Sequence, residues 1–78
     1  MNMKPNNKHV PVAIANSFLG AIENCADKDD AKDLKSVYRA MVQGNFRKAN
    51  ELAWGLDTIV RESIPGDVWN FMRANDSF

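Results

Sequence analysis

The chain has 78 residues, ten of them Lys or Arg and ten Asp or Glu, so its formal net charge is zero, and 45% of its residues are apolar. A chain of this length makes one domain that buries roughly 60% of the surface its unfolded form exposes, which excludes a second domain and leaves little room for a deep catalytic cleft. Neutrality excludes a long-range pull toward nucleic acid, so any such contact has to come from a local patch or through another protein.

No apolar run approaches the ~18 residues of a membrane span, and the start MNMKPNNKHV lacks the continuous hydrophobic segment of a secretory signal. The expectation is a cytoplasmic protein without membrane contact. Residues 1–9 are largely polar; 1–10 read as a flexible arm, 11–74 as the helical domain and 75–78 as a frayed end.

From Pro11 onward, Ile14, Phe18, Ala21, Ile22 and Cys25 recur at three- and four-residue spacing, with Leu19 widening the stripe, which predicts an amphipathic helix ending near Asn24 to Ala26. Cys25 is the only cysteine, which rules out an internal disulfide, and with apolar neighbours and no basic partner nearby it reads as a small core residue. Asp27 is placed to cap a second helix, with Asp29 and Asp30 where the helix dipole favours negative charge. Leu34, Val37, Tyr38 and Met41 form the apolar side of that helix, and Gly44 and Asn45 are stop and restart signals. A third helix over residues 46–62 carries Phe46, Ala49, Ala53, Leu56 and Val60 on one seam, flanked by Leu52 and Ile59. It reads as the central pillar of the core, in which Gly55 invites a close approach by another helix. Pro65 ends it and starts a short fourth helix over 66–73. The expected fold is all-α, a small single domain of four helices packed around a dominant third, with a short C-terminal helix.

Four carboxylates in DKDDAKD raise the question of a metal. A calcium loop of the EF-hand type needs glycine at its sixth position and glutamate at its twelfth, and counting from Asp27 these are Lys32 and Tyr38. A capped, dipole-matched helix start accounts for the aspartates, and no metal is expected. The one histidine, His9, has no nucleophile placed beside it, and the four glycines at 20, 44, 55 and 66 make no phosphate-binding loop. The chain reads as a binding protein and not an enzyme, with no cofactor and no small-molecule substrate.

Lys28, Lys32, Lys35 and Arg39 are spaced four, three and four along the second helix, so they form one basic stripe away from its apolar face, and Arg47 and Lys48 follow just past the turn. A solvated face of mixed charge accounts for this pattern, and so does a strip for phosphates or an acidic partner surface. Trp54 lies roughly opposite the Ala49/Ala53/Leu56 seam, on the side of Arg47, Asn50 and Arg61. Cover by the arm or by the fourth helix explains it, and so does an interface anchor beside Arg47 and Glu51. The expected partner-binding residues are Lys32, Lys35, Arg39, Arg47, Glu51 and Trp54. The expected core residues are Phe18, Ile22, Leu56, Ile64 and Trp69.

The stretch Ile64-Pro65-x-x-Val68-Trp69-x-Phe71-x-Arg73 resembles the C-terminal signature of the Hha/YmoA family, small enterobacterial partners of the nucleoid protein H-NS. Phe18-Leu19-x-x-Ile22-x-x-Cys25 is similar to that family's first helix, and Tyr38-Arg39-Ala40 resembles the start of its long helix in some members. The family's Asp-His-Arg and Leu-Ala-Glu-Leu survive here only as Arg47-Lys48-Ala49-Asn50-Glu51-Leu52-Ala53, without the histidine. The resemblance implies a nucleoid-associated co-regulator that binds the N-terminal region of an H-NS-like protein, helps silence transcription and reaches DNA mainly through that partner. It also implies that Ile64, Val68, Trp69 and Met72 clamp the last helix across the first and third. The alternative is a small phage- or plasmid-type inhibitor docking on a host protein through Trp54 and the C-terminal aromatics. A helix-turn-helix DNA reader ranks below both, because the third helix is mostly apolar where a recognition helix reads bases.

Overall fold

The computed structural model describes residues 10–76. Its elements are α1 (Val12–Glu23), α2 (Lys28–Val42), α3 (Phe46–Trp54), α4 (Thr58–Glu62) and α5 (Gly66–Asn75), with no strand among the described residues. The all-α class is as expected. The count is five where the periodicity gave four, because the expected helix over 46–62 is divided into α3 and α4.

Most boundaries follow local chemistry. Asp27 caps α2, its carboxylate accepting from the backbone N–H of Asp29 at 2.8 Å and of Asp30 at 3.1 Å. Gly44 takes φ 84°, a left-handed turn residue, and Asn45 opens α3 by accepting from Lys48 N–H at 3.3 Å. Pro65 stands just before α5.

The break after Trp54 has a specific cause. Gly55 weakens helix continuation, and Asp57 adopts the extended backbone of a helix start. The Arg61 guanidinium then donates to the Trp54 carbonyl at 3.2 Å and the Leu56 carbonyl at 3.5 Å, so two carbonyls freed at the end of α3 find a cationic donor. Leu56 and Val60 still face the core across the break, and the apolar spacing therefore continues where the helix does not. Ile59, expected beside the seam, is 82% exposed. Nor does Gly55 admit a neighbouring helix: a Cβ there would meet only carbonyls of its own helix, at 3.5 and 3.6 Å.

Neighbours run α1 to α2, α2 to α3, α3 to α5 and α5 back to α1, closing a ring around the core. Inside it lie Phe18 and Ile22 of α1, Leu34, Val37, Ala40 and Met41 of α2, Ala49 and Ala53 of α3, and Val68 and Met72 of α5, joined by Val60 and Ile64. The Phe18 and Tyr38 rings meet edge-on at 5.7 Å and those of Phe46 and Phe71 at 5.5 Å, tying α1 to α2 and α3 to α5. Val10, assigned to the arm, is buried in this core. The rest of the expected arm, residues 1–9, and residues 77–78 of the expected frayed end lie outside the described residues.

Of the expected core residues, Phe18, Ile22 and Ile64 are buried, whereas Leu56 and Trp69 are half-buried against the core. Asn50, expected on the outer side with Trp54, is instead buried: its Nδ2 donates to the Phe46 carbonyl at 2.9 Å and to the Met72 carbonyl at 3.0 Å, linking α3 to α5.

Candidate functional site

Trp54 ends α3 and is 60% exposed. It is held firmly all the same. The Trp69 indole packs against it, ring centroids 5.5 Å apart with the planes tilted by 56°, and the Arg61 guanidinium lies 4.9 Å from its ring centroid. Trp69 donates Nε1–H to the Arg61 carbonyl at 3.4 Å, while the Arg61 side chain also reaches Thr58 Oγ1 at 3.5 Å. Side chains of three consecutive elements thus meet around one large aromatic face whose surface stays open. A preset aromatic of this kind loses little conformational freedom on binding.

The second feature is the outer face of α2. Lys28, Lys32, Lys35 and Arg39 are all exposed, as the spacing required. Among the described residues the one ion pair is Arg47 with Glu51, 3.9 Å apart and solvent-facing, which contributes little stability. Asp27, Asp29, Asp30 and Asp33 gather toward the start of α2. There desolvation, and then the neighbouring Asp27, Asp33, Asp57 and Asp29, push the Asp30 carboxyl above its usual range. Both signs alternate in the first two turns, with Lys28 and Lys32 among these aspartates, and from Lys35 onward the charged residues of α2 are basic.

Arg39 stands between two grooves. One, of about 300 Å³, runs toward α3 and is lined by Ser36, Arg39, Ala40, Gln43, Lys48 and Leu52. The other, of about 380 Å³, lies between α1 and α2 and is lined by Leu19, Lys35, Tyr38, Arg39 and Val42. The fold brings Lys35 and Arg39 to these grooves, and joins Trp54 to Arg61 and Trp69.

Arg61 and Leu19 were not singled out from sequence as binding residues. Arg61 shares a helical side with Trp54 in the sequence pattern, but only the break between α3 and α4 folds it back over the ring. Among the described residues no cluster of three or more His, Cys, Asp or Glu is arranged to hold a metal ion, and no helix is long and apolar enough to cross a membrane.

Compared with known families, curated proteins and solved structures, the chain matches none of them.

Proposed function

We propose that the chain is a non-enzymatic, protein-binding co-regulator that docks on an H-NS-like nucleoid protein, modulates transcriptional silencing and reaches DNA mainly through that partner in the cytoplasmic nucleoid. The observation that carries the protein-binding part is Trp54, a large aromatic left 60% exposed yet held by Trp69 and Arg61. Tryptophan and arginine are the residue types that most often dominate interface energies. The nature of the partner rests on the sequence likeness of Ile64 to Arg73. In keeping with it, Ile64, Val68 and Met72 are buried while α5 packs on α1 and α3. The long unbroken third helix that the likeness implies is absent, so the partner's identity needs a direct test.

Calorimetry with several H-NS-type N-terminal domains at low salt is that test. Binding that weakens as salt rises, and that Trp54→Ala weakens, is the expected result, since exposed charge pairs are screened over about 8–10 Å at physiological ionic strength. No heat with any such domain rejects the co-regulator reading. The inhibitor of a host protein then takes its place, because it uses the same Trp54 face without requiring H-NS.

A further inference from the structure

We propose that the groove between α1 and α2 seats an acidic amphipathic helix of the partner protein, with apolar side chains on Leu19, Tyr38 and Val42 and carboxylates against Lys35 and Arg39. This rests on the protein-binding reading and assigns it a second contact, apart from Trp54.

The groove follows α2 from Lys35 to Val42, about 10 Å or two helical turns at 1.5 Å per residue. Its volume is about 380 Å³. Leu19 remains 38% exposed although its helix neighbours Phe18 and Ile22 are buried, so the floor offers apolar surface that the chain itself does not cover among the described residues. Tyr38 is fixed from behind, its ring meeting Phe18 edge-on.

Charge decides the occupant. Lys35 and Arg39 line the groove without an ion pair among the described residues, and no acidic residue lines it, the aspartates of α2 all preceding Lys35. A helix with leucine-like residues three or four apart and glutamate or aspartate beside them matches floor and rim together. A nucleic acid backbone would satisfy the two cations and leave the apolar floor uncovered.

The experiment uses the full chain, isotope-labelled for NMR, with four probes. These are a short lactam-stapled peptide carrying Leu anchors flanked by Glu, the same peptide with Lys replacing Glu, a short DNA duplex, and an H-NS-type N-terminal domain. The Glu peptide is expected to shift the amides of Leu19, Tyr38 and Val42, and the Lys peptide to leave them unmoved. Arg39→Glu and Leu19→Asp should each reduce affinity for the Glu peptide about tenfold or more, with helix content unchanged by circular dichroism.

No shift with the Glu peptide overturns the inference. So do equal shifts with the Lys peptide, preferential movement of these amides by DNA, or the same shifts on concentrating the chain alone, which would make a second copy the occupant. If the H-NS-type domain binds and loses affinity in Trp54→Ala but not in Leu19→Asp or Arg39→Glu, the groove is wrong and the co-regulator reading stands. If the Glu peptide binds the groove and no H-NS-type domain binds, the groove stands and the co-regulator reading falls.

Discussion

Trp54 and Trp69 are one structural unit, with ring centroids 5.5 Å apart, yet they sit on opposite sides of a functional boundary. Trp69 is half-buried, packs on the core and spends its Nε1–H on the Arg61 carbonyl. Trp54 is 60% exposed and rests on it. The inner ring supports and the outer ring is presented.

Removing them should therefore have unequal effects. Full burial of a core Trp typically makes Trp→Ala cost 3–5 kcal/mol, and half-burial places Trp69→Ala at about 2–3 kcal/mol. Trp54→Ala should cost about 1 kcal/mol, from the aromatic pair and the cation–π contact. Urea denaturation reads both. Equal losses would place Trp54 in the core and remove the best interface residue.

The glycines give a second contrast. Gly44 has φ 84°, so Gly44→Ala should destabilise by about 1–2 kcal/mol through the left-handed backbone alone. Gly20 lies inside α1, where a Cβ would meet nothing within 4 Å, and Gly20→Ala should stabilise by about 0.5–1 kcal/mol. Thermal melts of the two variants should move in opposite directions.

Much of the fold was legible because local chemistry and periodicity agreed. Asp27, Gly44, Asn45 and Pro65 mark their helix ends as the residue types require, and Phe18, Ile22, Leu34, Val37 and Met41 fall on the faces their spacing assigns. The division of the third helix was hidden because Leu56 and Val60 keep a helical spacing while packing on the core from the connection after α3 and from α4. What closes that break is a side chain, Arg61, reaching back to the carbonyls of Trp54 and Leu56, and periodicity carries no signal for it. The same blindness put Asn50 outside, since an amide bridging two carbonyls is polar in sequence and buried in space. Of the candidate site, the basic stripe and the position of Trp54 off the core seam were readable from spacing, whereas how far the last helix covers that ring was not. The grooves on either side of Arg39 were not, because they arise between helices.

Arg61 should be the residue on which the α3–α4 corner depends. Arg61→Gln removes the charged donor from two carbonyls and the cation from the Trp54 ring, and should cost about 1–2 kcal/mol, given that the group is partly solvated. It should also broaden or shift the Trp54 indole N–H resonance in NMR spectra while the buried methyls of Val37 and Val68 stay in place. Unchanged indole signals with wild-type stability would mean that the corner holds without the guanidinium.

Asn50 offers the sharpest test of the core, since its Nδ2 donates to two carbonyls and its Oδ1 is buried without a partner. Asn50→Asp keeps the shape and replaces the donor with a carboxyl facing the Phe46 and Met72 carbonyl oxygens. Burial and those oxygens both disfavour the carboxylate, so the folded-state pKa of the new group should rise above the value of about 3.9 expected when unfolded. A raised pKa means that the folded state holds its proton to higher pH than the unfolded state does, so stability falls as pH rises above about 4, by up to about 1.4 kcal/mol per pH unit, until the folded form also ionises. Below that pH the protonated carboxyl can still donate to one carbonyl, and the loss should be only about 1 kcal/mol. Asn50→Ala removes the bridge without adding a titrating group, and should differ from wild type by a nearly constant amount. Urea melts of the three proteins from pH 3.5 to 7.5 would show the Asn50→Asp curve diverging downward as pH increases; parallel curves would mean that residue 50 reaches water and does not clamp α3 to α5.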